Sequence, residues 1–104
     1  MVSSLRVPVL RTEEYQIDYQ PYKDEREQVT FIHCDIHVRW SKGVKSRLMR
    51  DFSLLKLLCK QPLFTLSDTD DTKHHKFLRM FGFAYYRTVL LGDGSFRDVF
   101  ILEN

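Results

Sequence analysis

Residues 29–59 read VTFIHCDIHVRWSKGVKSRLMRDFSLLKLLC, and this stretch decides the fold. From Val29 to Trp40 the side chains alternate between two faces, as a period of two requires of a strand. Ile32, Cys34, Ile36, Val38 and Trp40 make an apolar face, while Phe31, His33, Asp35, His37 and Arg39 make a mixed, mostly ionisable one. From Ser41 to Lys60 the period changes to that of a helix. Leu48, Met49, Phe52, Leu55 and Leu58 fall three and four apart and predict one buried stripe. Ser41 is placed to cap that helix. Gly43 permits close approach of a ligand to the backbone, and Lys42 and Lys45 add positive charge where unpaired N–H groups point. A strand running into a glycine-containing helix start is the physical recipe for an anion site, most simply a phosphate.

Upstream, LRVPVL predicts a short edge strand, because Pro8 has no N–H to give a ladder. EEYQIDYQPY sets Tyr15, Ile17 and Tyr19 against Gln16, Asp18 and Gln20, which suits a half-exposed strand; Pro21 and the charged run YKDEREQ then predict a turn. Downstream, Gln61-Pro62 ends the helix. Leu63 to Leu66 predicts a buried strand parallel to the one before the helix, the usual outcome of a crossover. His74 to Phe81 predicts a second short helix with Phe77, Leu78 and Phe81 on its apolar side, stopped by Gly82. FAYYRTVLL and SFRDVFILE, joined around Gly92-Asp93-Gly94, predict a hairpin. The expected class is α+β: one domain over residues 1–104, with N-terminal strands in 1–28 and the core in 29–104. Its sheet is mixed and mostly antiparallel, with a single parallel β-α-β crossover.

Hydrophobic and aromatic contents of 43% and 13% fit a packed globule and exclude a disordered tail. The net charge of +2 is unevenly placed. His37 to Lys60 holds seven Lys or Arg against the single acid Asp51, whereas the first 36 residues hold four basic residues against seven acids. The basic segment reads either as a solvated helix face or as the surroundings of a phosphate-bearing ligand. Phosphate contacts to nucleic acid through Arg47, Arg50 and Lys56 are a rival reading, set against a near-neutral chain without a nucleic-acid-binding motif. Cys34 and Cys59 form no paired framework, which predicts two buried thiols in a reducing compartment. No apolar run has the length of a secretory signal or a membrane span, so no membrane association is expected.

The order of elements, the turn Trp40-Ser41-Lys42-Gly43-Val44-Lys45 and the segment LFTLSDTDDTKHHKFLRMFGFAYYR together resemble the GNAT (Gcn5-related N-acetyltransferase) fold over about residues 31–104. In that family a Gln/Arg-x-x-Gly-x-Gly/Ala loop binds the pyrophosphate of acetyl-CoA. Gly43 matches; Trp40 stands where Gln or Arg is usual, and Lys45 where Gly or Ala is usual. The segment ends in the family's Gly-Phe hairpin start, here Gly82-Phe83. Leu78 occupies the place of a frequent tyrosine acid. The resemblance implies an acetyl-CoA-dependent N-acetyltransferase, or a degenerate relative, with Ser41, Lys42, Gly43, Val44, Lys45 and Ser46 around the cofactor. The short form of the chain, the turn beginning at Trp40 and the helix from His74 or His75 through Gly82 are similar to GNAT-like virion proteins of short-tailed bacteriophages. This likeness implies a place in an infected bacterial cytoplasm or in the virion. It also implies an alternative role, a catalytically silent scaffold for virion assembly or for binding a host protein, as an oligomer or otherwise.

Within this frame His33 or Asp35 is a candidate base toward an acceptor amine, neutral histidine being suited to pH 7. The other reading is a polar sheet face covered by a loop or partner. Tyr85 or Tyr86 is a candidate replacement for the missing acid, against the reading of a core or interface tyrosine. No metal is expected. His33 and His37 lie about 13 Å apart along a strand, and His74, His75, Asp68, Asp70 and Asp71 lack the spacing and glycine of a calcium loop.

Overall fold

A computed structural model describes residues 2, 3, 5–23, 26 and 28–103. Seven strands form one sheet: β1 (Val2–Ser3), β2 (Val7–Arg11), β3 (Tyr15–Lys23), β4 (Gln28–Ile36), β5 (Leu63–Asp68), β6 (Ala84–Leu90) and β7 (Phe96–Leu102). Helix α1 (Lys42–Leu58) joins β4 to β5, and α2 (Thr72–Met80) joins β5 to β6. The order across the sheet is β1-β3-β4-β5-β7-β6, with β2 also on β3. The class is the expected α+β one. The N-terminal strands complete the same sheet. β4 and β5 are parallel, and the remaining pairs are antiparallel.

The register separates the two faces. Tyr15, Ile17, Ile32, Leu63, Phe100 and Leu102 share one face and pack in a single core with Val44, Leu48 and Phe52 of α1 and Leu78 of α2. Rings tie the helices together: Phe52 stacks on Phe83 (5.7 Å, 13°) and meets Phe81 edge-on at 5.5 Å. The opposite face carries Tyr22, Phe31, Phe64, Leu66 and Tyr86 around a shallow groove, with no helix over it among the described residues.

Several expectations are corrected. β4 ends at Ile36 rather than Trp40, because its partner β3 begins at Tyr15, opposite Ile36; His37 N–H makes one further bond, to the Glu14 carbonyl (2.8 Å). Val38 and Trp40 therefore leave the strand face and are exposed. β3 does not turn at Pro21 but runs to Lys23. Pro21 is tolerated there because, among the described residues, β1 pairs with Tyr22 and Lys23 and β2 with Gln16 to Tyr19, and neither pairs with Pro21. Residues 24, 25 and 27 of the expected turn lie outside the described residues. The buried stripe of α1 is Val44, Leu48 and Phe52, flanked by Leu55 and Cys59, while Leu58 is 78% exposed. Steps of four, four, three and four carry the stripe from Val44 to Cys59, which leaves Leu58 on the outer side.

Both helix starts are capped. Ser41 Oγ accepts from Val44 N–H (3.2 Å), and the Asp71 carboxylate accepts from His74 N–H (3.0 Å). α2 ends as expected at Gly82. The residue is left-handed (φ +93), with Phe83 N–H bonded to the Leu78 carbonyl and Gly82 N–H to that of Arg79, both at 3.0 Å. A Cβ at Gly82 would lie 3.2 Å from Leu102 Cδ1. Gly82→Ala is therefore expected to cost about 1–2 kcal/mol in urea denaturation, the left-handed penalty of an L residue. An unchanged midpoint would show that the helix stop is not held in this conformation.

Candidate functional site

The parallel pairing of β4 and β5 is brief. Thr30 lies opposite Leu63 and Phe31 opposite Phe64, and beyond these the strands part. β5 continues to Asp68 against β7, and β4 to Ile36 against β3. The parting strands leave a cleft closed on one side by α1 and α2. Ile32 and Cys34 of β4, Thr65 of β5, Leu48 and Phe52 of α1, and Phe77 of α2 contribute to its walls. Its volume is about 80 Å³, far below the roughly 300–1,000 Å³ of a preformed ligand pocket. The start of α1 sits beside it, because Trp40, just before the cap, meets Phe77 edge-on at 5.5 Å.

At that helix start the expected anion seat is partly filled. Val44 N–H is taken by Ser41 Oγ and Lys45 N–H by the Ser41 carbonyl (3.0 Å), and Ser46 lies inside the regular helix. The N–H groups of Lys42 and Gly43 remain without a partner among the described residues. The Val44 side chain belongs to the core. The Arg47 guanidinium folds back over Gly43, 3.2 Å from where a Cβ would stand. There it makes a two-pronged ion pair with Glu14, with Nε and Nη2 each 2.6 Å from a carboxylate oxygen. The pair holds the Glu14 carboxyl below its ordinary range and the guanidinium above its own. Glycine at 43 thus makes room for Arg47.

His33 and Asp35 both lie on the helix-free face of β4. His33 Nε2 is 2.8 Å from Gln20 Oε1. With the amide oxygen as acceptor, Nε2 carries the proton and Nδ1 the lone pair. Burial, then the nearby Arg6, lowers the His33 pKa, so the ring is a neutral base at pH 7. Asp35 is exposed and paired with Arg6 at 3.6 Å; the same guanidinium stands 3.9 Å from the buried Asp18. Arg6 and Asp18 were not singled out in the sequence, because only the β2–β3 pairing brings Arg6 over this face.

Tyr85 and Tyr86 lie on β6, separated from β5 by β7. The Tyr85 hydroxyl is hydrogen-bonded to Thr88 Oγ1 (2.8 Å), which donates to Asp98 Oδ1 (2.7 Å). Tyr86 packs edge-on to Phe64 on the helix-free face, with Arg87 over its ring at 5.5 Å. Tyr86 and His33 line the same shallow groove on the helix-free face, whereas Tyr85 lines neither that groove nor the cleft, and Tyr86 does not reach the cleft lining.

The thiols also differ from expectation. Cys34 is exposed and Cys59 only half-buried, because β5 has already left the flank of β4 at Cys34. Although Cys34 is open to solvent, the apolar walls around its sulfur, and then Asp35, push its thiol up to about 11. It is a neutral thiol at pH 7 on either description. Leu78, in the place of the missing acid, is 4% exposed and part of the core. No group of His, Cys, Asp or Glu among the described residues is arranged to hold a metal ion. No helix there is long and apolar enough to cross a membrane.

Compared with family models, curated proteins and solved structures, the chain gives no match.

Proposed function

We propose that the chain is a short GNAT-like acyl-CoA-binding protein whose reaction class is transfer of an acetyl group to an amine. The observation that carries this reading is the divergence of two parallel strands beside a capped helix start, followed by strand, helix and hairpin in the order β5-α2-β6-β7. The pantetheine arm enters between β4 and β5. The pyrophosphate sits on the Lys42 and Gly43 N–H groups, with the Lys42 and Lys45 ammonium groups adding charge. The amine approaches from the helix-free face, where neutral His33, steadied by Gln20, takes its proton. The narrow cleft requires its aromatic walls to move when the ligand enters. In this reading the protein is a phage product acting in the infected bacterial cell or the virion.

A second reading is favoured by Arg47 lying over Gly43 and by Leu78 in the core: the fold retained as a virion or host-binding scaffold without the reaction. Calorimetry with acetyl-CoA separates the two. The first reading expects heat of binding, weakened by about tenfold for each of Lys42→Ala and Lys45→Ala, and weakened further by salt. No heat at millimolar acetyl-CoA leaves the scaffold reading. Binding unaffected by the double substitution overturns the proposed pyrophosphate seat.

A further inference from the structure

The helix-free face carries a row of rings that the acyl-CoA reading does not use. Tyr22 of β3 meets Phe31 of β4 edge-on (6.5 Å, 82°), and Phe31 meets Phe64 of β5 at 6.2 Å. Tyr86 of β6 reaches across β7 to Phe64 (5.7 Å, 71°), and the Arg87 guanidinium lies 5.5 Å from the centre of the Tyr86 ring. The register puts these rings on one face: Phe31 lies opposite both Gln20 and Phe64, and Tyr22 follows Gln20 by two residues. The groove they line has a volume of about 410 Å³, within the roughly 300–1,000 Å³ of a ligand site. None of the four rings belongs to the core, and Tyr86 is 50% exposed. Charge on this face is balanced except at one place. Arg6 is paired with Asp18 and Asp35, and Arg97 with Asp68, whereas Arg87 has no carboxylate partner among the described residues. His33, held by Gln20, adds a hydrogen-bonding group inside the groove.

We infer that this groove is a binding face for single-stranded DNA, whose bases stack on the ring row while a phosphate meets the Arg87 guanidinium. Base–aromatic stacking tolerates any sequence, because every base has a π-face. Four rings in series are longer than one base, which suits a strand rather than a single nucleotide. The walls between the rings are hydrocarbon, from Val29, Leu66, Val89 and Val99, and give a ribose 2′-hydroxyl no partner. That favours deoxyribose. Attachment is led by the bases, in contrast to phosphate contacts along α1, so its salt dependence is shallow. The inference goes beyond the acyl-CoA reading and needs no cofactor.

The test is fluorescence anisotropy of a labelled oligothymidylate with the full chain, beside an abasic strand of the same length and the ribose form of the same sequence. The oligothymidylate is expected to bind about tenfold or more tightly than the abasic strand, and several-fold more tightly than the ribose form. Its affinity is expected to fall with salt at a logarithmic slope of about −0.7, the value for one phosphate contact on a single strand. Tyr86→Ala is expected to weaken binding by about tenfold, and Arg87→Ala to flatten the salt slope. Lys56→Ala, on α1, is expected to stay within about twofold. Aromatic proton NMR of the wild type is expected to show shifts at Tyr22, Phe31, Phe64 and Tyr86, with Trp40, which packs on α2, unmoved. Equal binding of the abasic strand, tighter binding of the ribose form, or no binding at millimolar strand overturns the inference. So does a loss confined to Lys56→Ala, or a dimer that Tyr86→Ala dissociates, since a second copy would then cover the rings. Should Tyr86→Ala fail to fold, the wild-type NMR decides. No acetyl-CoA is present, so failure of the acyl-CoA reading leaves each of these outcomes unchanged.

Discussion

Phe52→Ala is expected to remove about 3–5 kcal/mol of stability, the usual cost of deleting a buried phenylalanine. Phe52 is where the core is joined: its ring stacks on Phe83 at the start of the hairpin, meets Phe81 at the end of α2, and projects from the buried stripe of α1. The cavity left behind opens into the cleft that Phe52 already lines, so the walls have little backbone support for collapsing into it. In a domain of this size each kcal/mol moves the thermal midpoint by about 4–8 °C, so the expected fall is roughly 15–30 °C. Leu57→Ala, at a 73% exposed position on the same helix, is the control and is expected to change stability by no more than about 0.5 kcal/mol. A Phe52→Ala loss below about 1 kcal/mol would mean that the two helices do not share a core.

The second large effect is expected at alkaline pH. Tyr15 is 1% exposed, and its hydroxyl donates a hydrogen bond to the Asp51 carboxylate. Burial, then that carboxylate, pushes its pKa up to about 12; burial, then Cys59, does the same for Tyr19. The sign follows from proton uptake. Between an unfolded value near 10 and a folded value near 12, the folded chain holds the phenolic protons more tightly than the unfolded one. The stabilisation is therefore complete below pH 10 and is lost as pH rises through about 12. For the nearly inaccessible Tyr15 the loss is on the order of 2 kcal/mol. Urea denaturation followed from pH 8 to pH 12 is expected to show this decline. Tyr15→Phe is expected to be less stable than wild type at neutral pH, having lost a hydrogen bond to a charged group worth about 1.5–3 kcal/mol. It is also expected to show a visibly smaller alkaline drop, the remainder belonging to Tyr19. An unchanged drop in Tyr15→Phe would assign the whole alkaline transition elsewhere.

Much of the fold was legible residue by residue. The Ser41 cap, the Gly82 stop, the hairpin around Gly92-Asp93-Gly94 and the parallel return at Leu63 were all expected and are all present. Such signals are short-ranged: a hydroxyl reaches an amide three residues away, or a glycine accepts a left-handed angle, whatever the rest of the chain does. The misjudged features depend on distant neighbours. Nothing within VTFIHCDIHVRW says that the ladder ends at Ile36; that follows from where β3 begins. Cys34 looks interior by alternation, and it is exposed because β5 turns away two pairs into its contact with β4.

The candidate site divides in the same way. Lys42, Gly43 and the alternation of His33 with Cys34 were visible as residue types in a pattern. The Arg47–Glu14 pair over Gly43, the Arg6 bridge between Asp18 and Asp35, and the Ser67–His74 hydrogen bond were not visible. The sequence by itself determined which segments are strands and helices, because periodicity and caps act locally. Only the tertiary structure decided which side chains meet in the cleft, because charges and rings far apart in the chain find partners through the sheet register that carries them.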